Sequence, residues 1–216
     1  MQKRFLFVFG FFFISVMFIF NSQAHAIGIG GYLTSASGSY DLTYENQDTD
    51  YETEDSTTIS KIGYGFILDT AVQKDTLFNY RLNLGYSFFS LKGDDFPDVD
   101  GSDYHVYNSF GFRIIRTDKI RFWVGPQIGL GFLYGEYDED EAGDTSSDFG
   151  TFYYTLGAVA GMNINIVKHF SIGVDGGYRL ASHIGGCSIG DNDYDVYGSG
   201  GEFFASVSAI ATFGEN

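Results

Sequence analysis

A single cysteine, Cys187, stands among 216 residues, so no internal disulfide can staple the chain and the fold itself must supply its stability. No basic residue lies near Cys187 in sequence to activate a thiolate, which excludes a ready nucleophile there. Basic residues are scarce throughout: 12 Lys and Arg face 28 Asp and Glu, a balance that excludes nucleic acid and other phosphate-backbone partners. Four histidines leave little material for a metal centre. Beyond residue 20 no stretch is apolar enough to form a membrane helix.

One apolar run is present, at the start. Lys3 and Arg4 precede an uncharged apolar segment from Phe5 to Phe20, and the polar stretch after it closes on Ala24-His25-Ala26. A charged start, a run of about 16 residues where a spanning helix needs about 20, and an A-x-A end read as a secretory signal peptide over residues 1–26. No cysteine follows that run, which argues against a lipid-anchored lipoprotein. Residues 27–216 then form one mature domain of formal charge −18.

What fills that domain is period-2 alternation. Phe78, Tyr80, Leu82, Leu84, Tyr86 and Phe88 alternate with Asn79, Arg81, Asn83, Gly85 and Ser87, and the same parity recurs from Ile120 to Tyr134. Such alternation marks strands with one apolar face. Further strands are read at Ile27 to Tyr44, Ile62 to Val72, Tyr104 to Ile114, Phe152 to Ile166, Phe170 to Leu180 and Gly201 to Phe213, eight in all. Short turns near Gln73 to Thr76, Arg116 to Lys119 and Val167 to His169 interleave with long segments rich in Asp, Gly and Ser. An even strand number with turns short at one end and long at the other predicts an antiparallel up-and-down barrel.

A water-soluble barrel would alternate as well, with its apolar face inward. The polar face decides between the two, because Gly, Ser, Thr and Asn dominate it. Gly125, Gly129, Gly131, Gly157, Gly161, Gly173 and Gly177 suit the crowded interior of a narrow barrel better than a wet sheet surface. The apolar face then looks into lipid. Aromatics, 19% of the chain, fall near strand ends at Tyr44, Phe78, Tyr104, Phe122, Tyr134, Phe152 and Phe170, as rings at the headgroup boundary would.

On these residues the chain resembles the superfamily of small eight-stranded outer-membrane β-barrels, which includes the membrane domain of outer-membrane protein A, the opacity adhesins and the OmpW-like proteins. The last strand, with Val207, Ala209, Ala211 and Phe213, resembles the aromatic-ended signal that the barrel-assembly machinery reads, although Gly214-Glu215-Asn216 extends past it. The resemblance implies an all-β, eight-stranded transmembrane barrel in the bacterial outer membrane, monomeric, with outer-membrane lipid, lipopolysaccharide and the assembly machinery as partners.

Charge is distributed unevenly along the chain. Four segments, Glu45 to Asp55, Asp94 to Asp103, Glu136 to Asp148 and Asp191 to Asp195, hold 21 of the 28 acidic residues and no Lys or Arg; they read as four acidic surface loops. Asp98, Asp100 and Asp103 surround Gly101 with carboxylates at near-alternate positions, which makes them the candidate ligands for Ca2+, the only cofactor the sequence suggests. Parity sends Lys61, Asp69, Arg81, Arg113, Arg121, Asp175 and Arg179 inside the barrel, with His105 and His183. Buried charges persist only when paired, so these seven are expected to form an ion-pair network that closes the lumen, with Asp175 and Arg179 as one pair.

Three functions follow. The first is a non-enzymatic surface protein with a structural, adhesive or ligand-interaction role; the second is a narrow channel for small or hydrophobic solutes. The third is a lipid-modifying hydrolase, for which His105 and Ser109 lie on one strand, but no triad signature identifies a catalytic residue.

Overall fold

The computed structural model describes residues 26–47, 49, 52–70, 77–93, 98–137, 148–189 and 192–214. All but the last residue of the expected signal peptide, the turn expected from Gln73 to Thr76 and parts of the acidic segments lie outside them. Eight strands follow one another: β1 (Ala26–Asn46), β2 (Glu52–Asp69), β3 (Phe78–Lys92), β4 (Val99–Arg116), β5 (Ile120–Tyr137), β6 (Asp148–Val167), β7 (Phe170–Ile189) and β8 (Asn192–Gly214). Each pairs antiparallel with its sequence neighbours and β1 pairs with β8, closing the barrel.

The cross-strand register fixes the barrel's shape. Followed from Leu33 through Tyr64, Tyr86, Tyr104, Phe132, Phe152, Ile184 and Tyr197, it returns to β1 at Thr43, ten residues from its start. That stagger tilts eight strands by about 40° and leaves an interior only wide enough for side chains. Glycine makes the packing possible where large rings cross the lumen. A Cβ on Gly161 would stand 2.4 Å from the Trp123 ring, and one on Gly131 2.2 Å from that of Tyr153, so no larger residue fits opposite these aromatics.

Outward positions carry a belt of exposed apolar side chains, among them Ile29, Leu33, Tyr64, Phe66, Leu84 and Leu156. A ring of large apolar groups around a closed sheet matches hydrocarbon, where an open sheet edge would leave backbone polar groups unsatisfied. Phe78 and Phe112 pack together at the turn end of this belt, with centroids 4.8 Å apart.

Most strands run well past the ends read from the sequence. β2 begins at Glu52 rather than near Ile62, β7 continues to Ile189 rather than Leu180, and β8 starts at Asn192 rather than Gly201. Toward the same end of the barrel the alternation inverts, on β1 within the span already read from the sequence. On β1 the outward series changes from Ile29 and Leu33 to Ser35, Ser37, Ser39 and Asp41, while the inward series becomes Tyr40, Leu42 and Tyr44. Below the inversion the outward set is apolar; above it the outward set is polar and the barrel builds its own apolar core. Consequently much of the acid expected in loops lies on the strand walls, including Glu45, Glu52, Glu54 and Asp195, and Tyr44 points inward, fully buried, rather than toward headgroups.

Candidate functional site

The lumen is crossed by two charged layers. The lower forms because Asp69 and Arg81 are direct partners across β2 and β3, on inward positions. The Arg81 Nε donates to Asp69 Oδ2 at 3.0 Å, Nη2 donates to Asn163 Oδ1 at 2.7 Å, and Nη1 reaches Asp175. Asn163 Nδ2 donates to Asp69 Oδ2 at 3.1 Å, and Ser206 Oγ donates to Asp175 Oδ2 at 2.5 Å. The guanidinium also lies 4.8 Å from the Trp123 ring centre, a cation–π contact strengthened by full desolvation. Toward the turn end, Arg113 Nη2 donates to the Thr70 carbonyl at 3.0 Å, and Arg121 is buried on the neighbouring strand.

The upper layer joins four charges of zero net sum. Lys61 Nζ stands between Asp103 at 3.2 Å and Glu202 at 3.4 Å. Arg179, the direct partner of Glu202 across β7 and β8, donates through Nε to its Oε1 at 2.5 Å. Tyr40 Oη donates to Glu202 Oε2 at 2.9 Å, and Tyr153 Oη donates to Asp103 Oδ1 at 2.7 Å. The Arg179 guanidinium is sandwiched between Tyr107 at 3.9 Å and Phe204 at 4.5 Å. Each charge here has an opposite charge and further hydrogen bonds or ring contacts, the condition under which burial is tolerable.

Above both layers, and above the apolar belt, comes a cap of inward residues in which Leu42, Ile59, Leu91, Val99, Leu133 and Val196 pack with Tyr44, Tyr137 and Phe149. Cys187 belongs to this cap. Burial pushes its thiol up to about 11, so the reactive thiolate is a minor form near neutrality. Alkylation by a maleimide in the folded protein is therefore expected to be far slower than in the unfolded chain and still accelerating between about pH 9 and 10. Mass spectrometry of timed samples checks this, and a rate equal to that of the unfolded chain would contradict it.

All seven residues expected in the lumen lie inside and are buried, but their partners differ from the expectation. Asp175 meets Arg81, not Arg179, and Arg179 meets Glu202. Asp175 and Arg179 stand four positions apart along one strand, whereas cross-strand neighbours face each other directly. Two of the four upper-layer charges were not in the expected network. Glu202 follows from the β8 parity that turns Phe203 outward, and Asp103 was grouped with the calcium candidates. The alternation of β4 sends Asp103 into the lumen and leaves Asp100 exposed outside, while Asp98 pairs with Lys92 at 3.2 Å. The three carboxylates do not converge, and among the described residues no group of three or more His, Cys, Asp or Glu is placed to hold a metal.

His105 and Ser109 are likewise inward and buried. His105 Nε2 shares a hydrogen bond with Tyr32 Oη at 3.0 Å and Nδ1 lies 3.4 Å from Asp103, whereas Ser109 Oγ accepts from Gln127 Nε2 at 3.0 Å. Both are used in packing the lumen.

Closed barrel, ten-residue stagger, filled interior and apolar outer belt define the fold of the small eight-stranded outer-membrane β-barrels. One solved structure supports this fold by its alignment, and two others align more loosely. The outer membrane protein OprG from Pseudomonas aeruginosa aligns over 88% of this chain and 96% of its own, at a TM-score of 0.52 and 14% identity. Neisserial surface protein A aligns over 83% and 97%, at 0.34 and 16% identity. The outer membrane protease OmpT from Escherichia coli aligns over 88% and 96%, at 0.45 and 8% identity. No protein-family model and no curated protein matches the sequence.

Proposed function

We infer that this chain is an integral protein of the bacterial outer membrane that acts through its surface rather than through its lumen: a non-enzymatic barrel that presents an acidic, water-exposed wall and its connecting segments to external ligands or neighbours. The observation that carries this reading is the three-fold obstruction of the interior, by the Arg81 layer, the Lys61–Arg179 layer and the apolar cap. Residues from all eight strands contribute to those levels, and a solute would have to break buried ion pairs to pass. The acidic wall repels polyanions and favours cationic or cation-bridged partners. Lipopolysaccharide and other outer-membrane lipids are the partners that the apolar belt itself implies, and a monomer already closes every strand edge.

Planar-bilayer recording of the refolded protein tests the reading. Wild-type barrels are expected to insert without a steady open level. A reproducible unitary conductance would favour the competing role as a narrow channel and discard this one.

A further inference from the structure

Just where the apolar belt gives way to the polar wall, the outside of β1–β4 is recessed. A cavity of about 720 Å3 lies there, lined only by residues of these four strands. The register explains it. Ser37, Ser60, Ser90 and Asp100 form one straight cross-strand row, and Ser35, Ile62, Phe88 and Ser102 form the row directly beneath. Serines hold five of these eight outward positions and lower the wall, while Phe88 and Ile62, both more than half exposed, form its floor.

The lining has a definite chemistry. Hydroxyl groups that both donate and accept, one carboxylate and one exposed aromatic ring meet in a recess of the size that small ligands occupy. No outward cation lies in either row. Lys61 is turned inward to Asp103 and Glu202, and Lys92, beyond Ser90 on β3, is paired with Asp98. A phosphate would face Asp100 without compensation. Sugar hydroxyls would not, because they donate to the carboxylate and exchange hydrogen bonds with the serines while the apolar face of a pyranose ring covers Phe88. Depth selects the source: the recess opens downward onto Ile62, Phe88 and Tyr64, which face acyl chains.

We propose that this recess holds the saccharide headgroup of a glycolipid in the surrounding leaflet, with the lipid's chains lying along the apolar belt below. The proposal rests on the membrane reading above. Serines supply interchangeable hydrogen bonds, Asp100 accepts from two sugar hydroxyls and Phe88 provides the stacking floor.

Native mass spectrometry of the detergent-solubilised protein, titrated separately with digalactosyl diacylglycerol, phosphatidylglycerol and phosphatidylcholine, tests it. One digalactosyl lipid should be retained per barrel with a roughly tenfold preference over phosphatidylcholine. Ser60→Trp, which fills the recess, and Phe88→Ala, which removes its floor, should each abolish that preference, and Asp100→Asn should weaken it severalfold. Equal retention of the lipids, a preference for phosphatidylglycerol, persistence in both Ser60→Trp and Phe88→Ala, or competition by free lactose as effective as by the lipid would overturn the assignment. Heat-modifiable migration on gels and insertion into vesicles are read for every variant. A barrel that inserts normally yet shows no sugar preference sinks the recess alone, while one that fails to insert as wild type sinks the membrane reading.

Discussion

Arg81→Ala is expected to destabilise the refolded barrel by about 3–5 kcal/mol, the cost of leaving buried charge without its partner. The size of the effect follows from the company Arg81 keeps. It compensates both Asp69 and Asp175 within the lower layer, and its guanidinium covers Trp123. Trp123 is the only tryptophan, so its fluorescence during urea unfolding in phospholipid vesicles reports on the layer directly. A second variant isolates the cause: Arg81→Met with Asp69→Asn and Asp175→Asn removes the stranded charges and should recover much of the loss, because these residues act as one network and their effects are not additive. Arg81→Ala with wild-type stability would mean that the layer carries no structural weight.

Phe66→Arg should also be costly, by about 2–4 kcal/mol if the residue lies deep in the hydrocarbon. Among the described residues Phe66 is the most exposed large apolar side chain, at 74%. On a water-facing surface the same change would fall within roughly 0.5 kcal/mol of neutral. Ser39→Arg, on the outward face of β1 above the belt, provides the internal control and should be tolerated. Urea midpoints in vesicles give both values, and equal tolerance at the two positions would place water on both.

Lipid-facing alternation was legible because it is strict and local: Phe78 to Phe88 and Ile120 to Tyr134 each declare a strand and its greasy side without reference to any other segment. The same rule placed Lys61, Arg81 and Arg179 inside. Where the rule reverses, the reading stopped short on some strands. On β1 the inverted run Tyr40-x-Leu42-x-Tyr44 still falls within the strand read from the sequence, whereas at the start of β2, from Glu52, and of β8, from Asn192, the interleaved acidic residues read as loops. An inverted alternation beyond the belt is the signal of a barrel that extends into water. Pairing was less accessible still. Arg81 and Asp175 are 94 positions apart and lie on strands that are not neighbours, so their contact depends on the barrel's closure and stagger, which no local pattern records.

The central claim is that hydrocarbon, not water, touches the outward apolar row. In a Cys187→Ser background, nitroxide labels at Phe66→Cys and Ser39→Cys, measured in vesicles against dissolved oxygen and a water-soluble nickel chelate, address it directly. Oxygen should dominate relaxation at position 66 and the nickel chelate at position 39. Equal access of the chelate to both labels would contradict the account.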